Sequence, residues 1–131
     1  MTKSGSHEEK RNDFRAKASY PLWYRVLVSE SGTWSPLQDW ERTSTIDISA
    51  GGAAFYSGSS TLGVGDLVEF QFVVPPRPVF GIGKIVRVVT GDDGKPVSAA
   101  MMFLSLEPRD RDRIAQIALH DGLERNDDKR D

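Results

Sequence analysis

Two short groups of residues in this 131-residue chain carry side chains suited to an anionic ligand that also bears a base. The first is Arg11-Asn12-Asp13-Phe14-Arg15, and the second is Asp47-Ile48-Ser49-Ala50-Gly51-Gly52. Two arginines at this spacing, just ahead of a strand, can converge on one anion. A guanidinium is a planar fork that hydrogen-bonds phosphate with two prongs, and the same fork matches O6 and N7 of guanine. An ionised aspartate only accepts hydrogen bonds, so it suits the N1–H and N2–H donors on guanine's other edge. Ser49 adds a small hydroxyl. Gly51 and Gly52 permit positive φ and let a ligand approach the backbone closely. Together these groups fit a ligand with both guanine and phosphate.

The rest of the composition removes competing chemistries. The chain has no cysteine, which excludes disulfides, thiolate nucleophiles and cysteine-held metals. Its two histidines, His7 and His120, stand near opposite ends, a poor basis for a catalytic triad or a multi-histidine metal site. Carboxylates are not clustered. The expectation is a binding module, not an enzyme, with no metal and no cofactor. A net charge of -2 means that any anion-binding patch is local, and it argues against a barrel that tracks single-stranded nucleic acid. No stretch approaches the ~18 apolar residues of a membrane helix. Met1 to Lys10 is polar and lacks the apolar centre of a signal peptide. A cytoplasmic protein is expected.

Residues 1–9 read as a flexible polar arm, 10–121 as one domain, and 122–131 as a charged tail. The domain is mostly strands. Tyr20 to Val28 has bulk on both faces. Glu30 to Arg42 is loop-like, with Gly32 and Pro36. Thr43 to Ile48 is β-branched, Ser49 to Gly52 interrupts it, and Ala53 to Tyr56 resumes it. Leu67 to Val74 has the clearest period of two, with Val68, Phe70, Phe72 and Val74 on one face. Pro75-Pro76-Arg77-Pro78 ends that strand, and Val79 to Val89 follows. Gly91-Asp92-Asp93-Gly94 reads as a hairpin turn before Val97 to Leu104. Glu107-Pro108 starts a helix, Ile114, Ile117 and Ala118 form its apolar stripe, and Gly122 is its expected stop. About six short strands and one helix predict an all-β fold, a six-stranded antiparallel β-barrel with a C-terminal α-helix.

Either motif alone is ordinary: paired arginines in a polar tail are usually solvated charge, and Asp-x-Ser before glycines is usually a turn. The pair, in family order, resembles the signature of PilZ domains: Arg11-x-x-x-Arg15 followed by Asp47-x-Ser49-x-x-Gly52. The resemblance runs from about Lys10 to His120. It includes Gly51-Gly52-Ala53-Ala54-Phe55, Leu62-Gly63-Val64-Gly65-Asp66-Leu67-Val68, and Gly83-Lys84-Ile85-Val86-Arg87-Val88. It implies a split-barrel type of fold and a cyclic di-GMP receptor whose arginine arm closes over the ligand and signals to a partner protein. By motif position, Arg11 and Arg15 contact guanine and phosphate, Asp47 holds a guanine edge, Ser49 adds a polar contact, and Gly52 supplies close backbone approach. Lys10 and Gly51 are lesser candidates. The chain departs from the family pattern at Ala100-Met101-Met102-Phe103, where Gly-Val-x-Phe is frequent, and at Lys10, where a further arginine is common. A nucleotide-independent adaptor is the alternative that the first departure leaves open.

Other features have plainer readings. Trp23 is expected to pack on the barrel or helix, while Trp34 and Trp40, in a loop, are interface candidates. Pro75-x-x-Pro78 reads as a strand connection, Asp92-Asp93-Gly94 as a turn, and Gly81-x-Gly83 as a bulge or tight coil. The Arg109-Asp110-Arg111-Asp112-Arg113 run reads as an exposed first helical turn of alternating charge.

Overall fold

A computed structural model describes residues 17, 19–57 and 62–130, with side chains described as far as His120. The strands are β1 (Pro21–Glu30), β2 (Thr33–Pro36), β3 (Glu41–Ser49), β4 (Gly52–Tyr56), β5 (Leu67–Val74), β6 (Arg77–Thr90) and β7 (Pro96–Leu106), followed by helix α1 (Pro108–Arg130). All pairings are antiparallel, and they run β1-β3-β4-β7-β6-β5 before β5 returns to β1. Six strands therefore close a barrel, as expected.

The seventh strand was not expected. The Glu30 to Arg42 stretch holds β2, which pairs with the far end of β1 through Leu27↔Pro36 to Glu30↔Thr33. Leu22 to Tyr24 pair with β3 on one side and β5 on the other, and Leu27 pairs with both β2 and β5. So β2 and β3 lie in series along the same edge of β1. Four residues with a terminal proline carry no periodicity to read. The strand is specified by the turn before it, where Ser31 and Gly32 take φ of 54° and 81°. Positive φ at both central residues is what the type I′ hairpin turn requires. Trp34 consequently stands in a strand, not a loop, and is exposed.

The core follows the alternation. Val68, Phe70, Phe72 and Val74 of β5 are buried, as are Leu22, Tyr24 and Val26 of β1. Phe103 meets Phe70 with ring centroids 5.2 Å apart, and Tyr24 meets Phe55 at the same separation, so aromatic contacts cross the barrel. Trp23 is half-buried on the outside, under the Arg42 guanidinium at 5.5 Å.

Helix α1 joins this core through Ile114 and Ala118. It continues past Gly122 to Arg130 instead of stopping there. One glycine inside a helix costs only about 1 kcal/mol relative to alanine, which flanking helix formers offset. The Arg109–Arg113 run is not a merely exposed turn. Asp110 is buried and pairs with Arg113 at 3.0 Å. Arg113 also donates to the carbonyls of Val74 and Arg77, while Arg111 donates to the Ala50 carbonyl at 2.7 Å. Alternating charge here fastens the helix to two different turns of the barrel.

Candidate functional site

Strand register builds a surface across four strands. Asp47 of β3 pairs with Ala54 of β4, Ala54 with Ala100 of β7, and Ala100 with Arg87 of β6. A carboxylate and a guanidinium thus flank two small, buried alanines, of which Ala100 lines the cleft described below. The neighbouring row, Ile48, Ala53, Met101 and Ile85, faces the core and is buried throughout. Three strand spacings separate the two charged ends, roughly 14 Å between backbones.

Both ends of the charged row depend on β-bulges. The β3–β4 register shifts between Thr45 and Asp47, so Ile46 is the extra residue. Strict alternation from buried Thr45 would put Asp47 on the core face and Ile48 outside. The bulge reverses that: Ile48 enters the core and Asp47 turns out. The β6–β7 register shifts in the same way between Ile85 and Arg87, with Val86 as the extra residue. Ile85 stays buried and Arg87 emerges exposed. Bulges that re-aim a side chain are a recurrent feature beside binding sites.

Asp47, Ser49, Gly51 and Gly52 line a cleft of about 440 Å³ together with Arg87 and Ala100. This lies within the ~300–1,000 Å³ typical of small-ligand sites. Four of the expected site residues therefore meet in one place. Lys10, Arg11 and Arg15 lie outside the described residues. Their attachment point is described: Tyr20 exchanges hydrogen bonds with Thr45, through Tyr20 N to Thr45 Oγ1 at 2.8 Å and Thr45 N to the Tyr20 carbonyl at 2.9 Å. The chain ahead of β1 is thus rooted beside the strand that carries Asp47. The five residues from Tyr20 back to Arg15 span at most roughly 18 Å when extended.

The glycines act differently from the sequence expectation. Neither Gly51 nor Gly52 has positive φ. Gly52 does allow close approach, but to the protein itself: a Cβ there would collide with the Met101 carbonyl oxygen of β7. Ser49 is buried, and its hydroxyl donates to the Gly52 carbonyl at 3.3 Å, bracing the turn. Ala100 puts only a methyl into the floor of the cleft. Arg87 is not among the residues that the sequence singles out for the site, and strict alternation from buried Ile85 would turn it inward. The strand resemblance over Gly83 to Val88 was the signal that contained it.

The model of the PilZ domain family matches residues 9–120. No curated protein sequence matches the chain. Among solved structures, the Bacillus subtilis inhibitor of motility MotI/DgrA superposes with a TM-score of 0.71 at 15% identity, covering 87% of this chain and 52% of that one. The chain thus spans about half the length of that protein. The PilZ domain of YcgR from Escherichia coli, solved with c-di-GMP, gives a TM-score of 0.57 at 15% identity, covering 92% of this chain and 96% of that one. The PilZ domain of CeSA from a cellulose-synthesizing bacterium gives 0.53 at 20% identity, covering 84% and 97%. No described helix is long and apolar enough to cross a membrane. With a family match over most of its length, the chain belongs to the PilZ domain family.

Proposed function

We propose that this protein is a cytoplasmic cyclic di-GMP receptor that binds the nucleotide across the β3–β4–β7–β6 face and reports occupancy to a partner protein. The observation that carries the reading is the row Asp47–Ala54–Ala100–Arg87. The Ala100 methyl, which lines the cleft, gives a guanine ring a small apolar contact. The Asp47 carboxylate accepts from N1–H and N2–H, and the Arg87 guanidinium meets phosphate or the O6/N7 edge. Ser49 and Gly51 border the same cleft. Arg11 and Arg15 complete the charge balance from the arm rooted at Tyr20, with Lys10 as a further cation. Ordering such an arm offsets part of the binding energy, about 2–5 kcal/mol for a segment that folds on binding. That difference between free and bound states is what a receptor transmits. The protein performs no chemistry on the nucleotide and needs no cofactor.

Calorimetric titration with cyclic di-GMP and cyclic di-AMP, run in parallel, tests this. Cyclic di-GMP binds and cyclic di-AMP binds more weakly, because adenine lacks the N1–H and N2–H donor pair. Equal affinity for both would remove the role given to Asp47, and no heat with either would remove the function. Arg15→Ala weakens binding while the barrel stays folded; unchanged affinity would take Arg15 out of the site.

A further inference from the structure

We propose that Arg111, on the helix and outside the cleft, is a positioning residue for the ligand-binding turn; the proposal rests on the function inferred above. The turn Ala50-Gly51 joins Ser49 to its partner Gly52. A two-residue hairpin loop normally takes the I′ or II′ form, with positive φ at one or both central residues, because only those match the twist of the strands. Neither Ala50 nor Gly51 has positive φ. The turn therefore matches the twist of its strands less well than an I′ or II′ turn would, and bonds from outside the hairpin help to hold it.

Two such bonds exist, one on each central carbonyl. The Phe103 amide of β7 donates to the Gly51 carbonyl at 2.8 Å. The Arg111 guanidinium donates to the Ala50 carbonyl at 2.7 Å. The first is part of the sheet and cannot be altered by a side chain. The second depends on a single half-buried arginine one turn into α1. Asp47, Ser49, Gly51 and Gly52 all lie within three residues of Ala50, and all line the cleft. Freeing the Ala50 carbonyl lets the loop relax toward a twist-matched form, which moves the Ser49 and Gly52 ends and, through β3, Asp47. A ligand then has to restore the turn on binding. Arg111 acts through the turn, with no contact to the nucleotide required of it.

Arg113 provides the control. It also fastens α1, but to Val74 and Arg77 at the β5–β6 turn. The test measures affinity for cyclic di-GMP, thermal stability, and the backbone amide shifts of Gly51 and Gly52 in wild type, Arg111→Ala and Arg113→Ala. Arg111→Ala is expected to lose roughly tenfold in affinity, the scale of one charge-assisted hydrogen bond, and to shift the Gly51 and Gly52 resonances without ligand. Arg113→Ala is expected to lose more thermal stability while keeping both affinity and those resonances. Comparable affinity losses in both variants would mean that helix docking, not the turn, matters, and would overturn the proposal. Unaltered affinity and unaltered glycine shifts in Arg111→Ala would overturn it too. A wild-type protein without affinity for cyclic di-GMP would instead refute the function on which the proposal rests, while the ligand-free shifts would still decide whether Arg111 holds the turn.

Discussion

The β1–β2 hairpin turns at Ser31-Gly32 and the β3–β4 hairpin at Ala50-Gly51, each with two residues between paired strand ends. The first has positive φ at both residues, and the second has it at neither. The first needs only its own backbone to reverse the chain, with glycine relieving the strain at the second position. The second is held by Phe103 of β7 and Arg111 of α1. A self-sufficient turn ends in a short edge strand with exposed Trp34. An externally held turn borders the cleft. Bonds from the rest of the barrel thus go to the turn that borders the cleft, while the turn at the edge strand relies on its own backbone.

Substitutions at the two hairpins separate them by size of effect. Gly52→Ala is the largest. Its methyl group meets backbone atoms of Met101 and Met102, which cannot swing aside, so β4 and β7 must part. Overpacking of this kind costs about 3 kcal/mol, read from chemical denaturation. A loss below about 1 kcal/mol would show that the strands yield easily. Asp47→Ala comes next, acting on binding: affinity for cyclic di-GMP falls by about 10- to 100-fold, as expected when a carboxylate acceptor is removed. Retained affinity would place the guanine elsewhere. Gly32→Ala is the smallest. The added methyl meets nothing within 4 Å, and only the φ of 81° opposes it, at about 1 kcal/mol of stability. Affinity should not change, and a change would break the contrast between the hairpins.

Much of the fold was legible because burial imposes its period directly. Leu67 to Val74 alternates in sequence and alternates in burial. What could not be read is where the period slips. The bulges at Ile46 and Val86 leave no composition signal, since a β-branched residue fits either face, yet they decide that Asp47 and Arg87 point outward. Asp47 is carried by its motif and Arg87 by none of the site motifs, and strict alternation alone would turn both toward the core. The charged run at Arg109–Arg113 misled for a related reason. Its local pattern is that of a solvated face, and only the tertiary structure supplies the carbonyls of Ala50, Val74 and Arg77 that its arginines satisfy. Gly52 lines the cleft, and what the absence of its side chain admits in this structure is the backbone of β7.

The most direct test of the central claim is a titration of isotope-labelled protein with cyclic di-GMP, followed by backbone amide resonances. The account predicts that Asp47, Gly51, Gly52, Arg87 and Ala100 move together with one saturating dependence on ligand, while Ser31 and Gly32 stay in place. Absence of any shift, or shifts centred on the β1–β2 hairpin with the Asp47–Arg87 row unmoved, would contradict it.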